Sequence, residues 1–197
     1  MAARFCTIGH SNRALEEFVD ILRVARVDLV VDVRSFPRSR SNPSYNLDVL
    51  PGELERYQIG YRHMPALGGR RNLQPDVPDE VNAHWRNRSF HNYADYALSS
   101  EFAAALEDLV ALGRDRRLAM MCSEAVWWRC HRRIITDHLL LNGQMVDHLL
   151  GANRIDAAKP TPGAELTRDG KVIYPPSAMA SRDAPSQDHS RGGDGGS

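Results

Sequence analysis

Apolar positions along the chain change period several times, and each change marks an element. Arg4 to Gly9 (RFCTIG) reads as a short strand. Ala14 to Ala25 then places Leu15, Phe18, Leu22 and Ala25 at helical spacing behind a polar Ser11-Asn12 start. Asp28 to Val33 (DLVVDV) is a continuous apolar run of the kind that is covered on both faces of a parallel sheet. Leu47 to Tyr57 predicts a second helix, with Pro51 tolerated in its first turn, and Tyr61 to Met64 a short third strand. Residues 65–95 are rich in Gly, Pro, Asn and Arg without clear periodicity, and read as a long irregular segment. Ser100 caps a helix bearing Phe102, Leu106, Leu109 and Leu112, which stops at Gly113. Arg117 to Met121 is a buried strand, Cys130 to Leu141 a helix closed by Asn142-Gly143, and Met145 to Leu149 a last parallel strand. Val172-Ile173-Tyr174 reads as an edge strand ended by Pro175-Pro176.

Alternation of strand and helix predicts an α/β fold: three layers, with a mostly parallel sheet and helices on both faces. Residues 1–176 form one domain on this reading. From Ser177 onward the chain is Ser, Asp, Gly and Pro with nothing to bury, which predicts a disordered tail over 177–197.

Composition narrows the function classes. Of 197 residues, 42% are apolar and 25% charged, which excludes a fibrous or wholly disordered chain. No apolar run is long enough to span a membrane and no signal-peptide pattern opens the chain, so a soluble cytoplasmic protein without a membrane partner is expected. The 25 basic and 25 acidic residues cancel, which removes the crude electrostatic argument for nucleic-acid binding and leaves only local patches. Three cysteines, Cys6, Cys122 and Cys130, are too few for a disulfide scaffold and are expected as reduced thiols.

In open parallel sheets, ligands bind beyond the carboxyl ends of the strands. That rule gathers Gly9, His10 and Ser11 from the first strand, Asp32, Arg34 and the loop to Arg40 from the second, and Cys122, Ser123 and Glu124 from the fourth. The densest segment is MCSEAVWWRCHR, residues 121–132. Cys122 would sit on a strand-to-helix turn and Cys130 near a helix amino terminus, where Arg129, His131 and Arg132 would lower a thiol pKa. The competing reading is that both cysteines are small packed residues and their cationic neighbours are caps and ion pairs. A Cys-loop phosphatase or rhodanese holds its anion with an Arg six positions after the thiol; Arg129 is seven after Cys122. For zinc, Cys122, Cys130, His131 and either His10 or Glu124 are acceptable ligand types, but the cysteines are eight apart instead of closely paired, so no metal is assigned. Arg70, Arg71, Arg86 and Arg88 with Phe36, Tyr45, Trp85, Phe90 and Tyr93 could hold phosphate and stack a base.

The ordered motifs TIGHSN, VDVRSFPRSR with NPSYN, LGGRR, FHNYADY and MCSEAVWWRCHRRII resemble the prokaryotic family known as domain of unknown function 488, over roughly Arg4 to Tyr174. The resemblance implies an α/β fold and carries no settled activity. It points to Gly9, His10, Ser11, Asp32, Arg34, Pro37, Arg40, Gly68, Gly69, Tyr93, Cys122, Glu124, Cys130, His131 and Arg132. The AVWW stretch resembles one subgroup of the family.

The resulting expectation is an enzyme acting on an anionic substrate, a nucleotide or nucleic-acid component, with no cofactor identified. Cys122 is expected as nucleophile or polarising thiol, Glu124 and Asp32 as acid/base or orienting carboxylates, and His10 as the proton carrier nearest neutral pH. Arg34, Arg40 and Arg132 would hold the anion, with Ser11, Tyr93, Cys130 and His131 completing the substrate site. The alternatives are a nucleic-acid or nucleotide binding module without chemistry, and a structural or redox-sensing protein in which Cys122 and Cys130 form a reversible disulfide.

Overall fold

A computed structural model describes residues 5–176. The strand segments are β1 (Phe5–Gly9), β2 (Leu29–Asp32), β3 (Gly60–His63), β4 (Leu118–Cys122), β5 (Val146–Gly151), β6 (Arg154–Ala157), β7 (Glu165–Leu166) and β8 (Val172–Ile173). The helices are α1 (Leu15–Val24), α2 (Leu50–Glu55), α3 (Arg88–Tyr96), α4 (Ser100–Leu112) and α5 (Arg132–Leu141). Six strands form one sheet in the order β3-β2-β4-β1-β5-β6, the first five parallel and β6 antiparallel to β5 at the edge.

Side-chain alternation along the strands divides the core into two layers. Ile8, Val30, Ala119, Met121 and Leu149 face α1 and α2, which bring Phe18, Ile21, Leu22, Leu50 and Leu54. Phe5, Val31, Val33, Leu118, Met120 and Val146 face the opposite way, onto Tyr93 of α3, Phe102 and Leu109 of α4, and Ile134, Ile135 and Leu139 of α5. This is the expected three-layer α/β architecture, and the handedness of strand crossovers explains it. From β1 the chain moves through β2 to β3 in one direction across the sheet; from β4 it moves to β5 in the other. Right-handed connections running in opposite directions put their helices on opposite faces. The reversal lies between neighbours β1 and β4, so the crevice beyond Gly9 and Cys122 is the position where such sheets bind ligands.

Several expectations are corrected. The segment 65–95 is not wholly irregular, since it contains α3, capped by the Asn87 side chain, which accepts hydrogen bonds from the amides of Ser89 and Phe90. The face it buries carries His91, Tyr93, Asp95 and Tyr96 along with Ala94, so no apolar stripe announces it. Val172–Ile173 does not edge the main sheet; it pairs with β7 in a separate two-stranded ribbon. The main edge is β6, whose four residues are all exposed and leave no hydrophobic signal. Helix α4 is capped by Ser99 rather than Ser100, and α5 starts at Arg132. The predicted tail, 177–197, lies outside the described residues. No described helix is long and apolar enough to cross a membrane.

Candidate functional site

At the β1–β4 junction the backbones approach closely. A Cβ on Gly9 would come within 1.9 Å of the Glu124 carbonyl oxygen, so only glycine fits there. The amides of His10 and Ser11 donate to the carbonyls of Cys122 (2.9 Å) and Ser123 (3.0 Å), extending the pairing past the strands. The chain then makes a short 3-10 turn at Trp127–Arg129 before α5. Trp127 stacks on His148 of β5 with ring centroids 4.2 Å apart, which ties this turn to the sheet.

The turn folds Cys130 and His131 back over Cys122. The two sulfurs and a ring nitrogen of His131 all lie within 4.8 Å of one another. His131 Nε2 is 2.9 Å from the Val33 carbonyl oxygen, which can only accept, so that nitrogen carries a proton, and Nδ1 faces Cys130 Sγ at 3.6 Å. Tyr93 meets the imidazole edge to face at 5.1 Å. Gly69 lies against the same ring, where a Cβ would fall 2.4 Å from Nδ1.

Arg132 is 1% exposed, and its guanidinium donates from Nε to Cys130 Sγ (3.2 Å) and from Nη2 to the Glu124 carbonyl (2.6 Å). No carboxylate pairs with it among the described residues. A buried cation without a counter-charge is strongly unfavourable, and the sulfur of Cys130 is the one group on it able to become anionic. Burial opposes ionisation of Cys130, but the hydrogen bond from Cys122 and the charge of Arg132 outweigh it and bring its pKa down to about 6. The same hydrogen bond, with burial, pushes Cys122 up to about 12. The two thiols are thus shifted in opposite directions, Cys130 down and Cys122 up. Of the two thiols, Cys122 is the one held further from ionisation.

A pocket of about 290 Å³ opens onto both sulfurs, lined also by His131, Ser123, Glu124, Arg129, Arg34, Ser35, Phe36, Gly69, Arg70, Ser89 and Phe90. Cys122, Glu124, Cys130, His131 and Arg34 are thus brought together as expected. The cations facing solvent at this pocket are Arg70 and Arg129, and neither forms an ion pair among the described residues. Both stood in the sequence, Arg129 one position off a familiar Cys-loop spacing and Arg70 beside the Gly68-Gly69 pair, but neither had a distinguishing signal.

The remaining expected residues lie elsewhere. Asp32 registers with Met121 and faces the α1/α2 layer, whereas Cys122, one residue on, faces the other. Asp32 is fully buried and accepts from Arg34 Nε (2.9 Å), Arg34 Nη2 (2.6 Å) and the Tyr61 hydroxyl (2.7 Å). His10 stacks on Tyr45 at 4.2 Å and donates from Nδ1 to the Ser11 carbonyl (2.9 Å), which leaves Nε2 to accept from Arg34 Nη1 (3.2 Å). Burial, with the charge of Arg34 adding to it, lowers the His10 pKa to about 4, so it does not titrate near neutral pH. Arg34 and Arg132 spend their donors inside the protein instead of on a ligand. Arg40 is exposed and lines no part of the pocket. Ser11 lies in a separate shallow depression with Asn12, Arg13, Glu17 and Ala125. Tyr93 is fully buried and donates its hydroxyl to the Leu67 carbonyl (2.8 Å), so it supports His131 without reaching the pocket.

Compared with known proteins, the chain matches the family model described as "Domain of unknown function DUF488" over residues 14–139, well over half its length and including both pocket cysteines. No curated protein and no solved structure matches it.

Proposed function

The chain belongs to the DUF488 family, and from that premise we propose that it is a thiol-dependent enzyme in which Cys130 attacks an electrophilic centre of a compact anionic substrate. The observation that carries this reading is the pairing of a fully buried Arg132 with Cys130 Sγ, with no carboxylate partner among the described residues. A guanidinium placed in this way keeps the sulfur ionised at neutral pH, as nucleophilic catalysis requires. Attack forms a bond from sulfur to the electrophile and expels the leaving group with its electron pair. Hydrolysis of the sulfur-linked intermediate then restores the thiolate, with Nδ1 of His131 beside the sulfur as the group that takes the proton of the attacking water.

The pocket supplies the substrate class. Its volume suits a ligand no larger than a mononucleotide, its solvent-facing charges are Arg70 and Arg129, and Phe36 and Phe90 offer flat apolar surface. Phe36 is 69% exposed with the Arg70 guanidinium 5.7 Å above its ring, an arrangement suited to covering a bound base.

The test is alkylation of the native protein by iodoacetamide at pH 7, followed by peptide mass spectrometry. Cys130 is expected to react at least about tenfold faster than Cys122, and a nucleoside monophosphate should protect it, less so at high salt. Preferential labelling of Cys122, or inertness of both until the chain unfolds, overturns the reading.

A further inference from the structure

The Cys122, Cys130 and His131 cluster presents three soft donors to one point in space, and they converge from two sides of a turn. Cys122 ends β4, while Cys130 and His131 immediately precede α5. In a tetrahedral zinc site with Zn–S near 2.3 Å and Zn–N near 2.0 Å, donors lie about 3.5–3.8 Å apart. Cys130 Sγ and His131 Nδ1 are already 3.6 Å apart, and all three donors fall within 4.8 Å. Shifts of up to about 1 Å, mainly of Cys122, would close the set.

Two further features make this more than a cluster of ligand types. The hydrogen bond from His131 Nε2 to the Val33 carbonyl fixes the ring and leaves Nδ1 as the coordinating nitrogen, the outer-sphere arrangement that metal-bound histidines use. All three residues also line the pocket, so a fourth coordination position would open into it beside Ser123 and Glu124. Two sulfurs and one imidazole select a thiophilic ion over Mg²⁺ or Ca²⁺.

We propose that Cys122, Cys130 and His131 bind one Zn²⁺ ion, with the fourth position open to the pocket, and that this occupancy switches off the nucleophile. The ion takes the sulfur lone pair that would otherwise attack, so free thiolate and metal complex are alternative states of one site. The binding site stands on its own geometry; only its regulatory consequence rests on the enzyme reading above. The eight-residue separation of the cysteines argued against zinc in the sequence because it gave no sign that the Trp127–Arg129 turn would double the chain back.

The experiment uses the reduced full chain, freed of metal with EDTA and titrated with Co²⁺. One equivalent should produce tetrahedral d–d bands and thiolate-to-cobalt charge transfer, and one equivalent of Zn²⁺ should abolish both. Cys130→Ser should weaken Co²⁺ binding at least about tenfold and cut the charge-transfer intensity by half or more. His131→Gln should weaken binding similarly while keeping charge-transfer intensity per bound ion. A weak octahedral spectrum from the unsubstituted protein, which needs no variant to fold, overturns the site. A tetrahedral spectrum unchanged by Cys130→Ser also overturns it.

Alkylation separates this proposal from the preceding one. Rapid labelling of Cys130 in EDTA without any cobalt band leaves the nucleophile and removes the metal site. A cobalt band with slow labelling does the reverse. With both present, one equivalent of Zn²⁺ should slow labelling at least about tenfold; less than twofold slowing overturns the regulatory role.

Discussion

Arg34 and Arg132, the arginines buried among the described residues, stand near the same sheet edge but answer to different partners. Arg34 is clamped by the Asp32 carboxylate through three contacts, by the Tyr45 carbonyl and by His10 Nε2. Arg132 has one carbonyl and one sulfur. The first arrangement is electrically complete and rigid, as expected of a group that holds a loop in shape. The second is complete only when Cys130 is ionised, so its stability and its reactivity are the same property. A buried charge whose counter-ion is chemically reactive marks a site more reliably than the number of charged residues near it.

The sharpest way to break this contrast is Asp32→Ala, which leaves Arg34 buried without its anion. Urea unfolding should show a loss of about 3–5 kcal/mol, and a loss below about 1 kcal/mol would mean that Arg34 does not depend on Asp32. The corresponding Cys130→Ala change leaves Arg132 buried without its counter-charge in the same way and should cost a comparable amount, about 3–5 kcal/mol. Combined with Arg132→Met in a double-mutant cycle, it should give a coupling of at least about 1 kcal/mol; additivity of the two changes would show that the sulfur is not the counter-charge.

Acid sharpens the difference further. His10 has its pKa lowered from 6.5 to about 4 on folding, so protonation favours the unfolded chain. The associated stability is fully present above pH 6.5 and is lost as pH falls toward 4, with a slope of up to about 1.4 kcal/mol per pH unit for this one proton. His138 and His148, also lowered to about 4 by burial, act in the same window. Urea unfolding from pH 7 to 4 should show this decline, and His10→Gln should flatten it by up to one proton; an unchanged slope would place the acid sensitivity elsewhere. The smallest expected effect is that of Tyr61→Phe, which removes one of several hydrogen bonds to Asp32 and should cost about 1 kcal/mol without altering Cys130 alkylation.

Much of the fold was readable because each strand or helix of the main layers has its own apolar period, from FCTIG in β1 to the Ile134, Ile135 and Leu139 face of α5. Helix α3 was not, since the face it buries carries polar residues, among them Asp95, held by the distant Asn82. The carboxyl-end rule led to the sheet edge where the pocket opens. It could not tell which face each residue takes, and strand alternation sends Asp32 and Cys122 to opposite layers. Nor could sequence tell which of Cys122 and Cys130 the buried guanidinium meets, since Nε of Arg132 reaches the Cys130 sulfur.

The central place of β1 also has a consequence in time. Its five residues are all buried, and its partners on either side begin at Leu118 and Val146, more than a hundred residues later in the chain. At a synthesis rate of about 5–20 residues per second, this apolar strand waits roughly 6 s or longer with both hydrogen-bonding edges open before its first partner exists. The nascent protein therefore passes through a long interval in which its first strand is its most adhesive segment, and the pocket between β1 and β4 is among the last features of the molecule to be assembled.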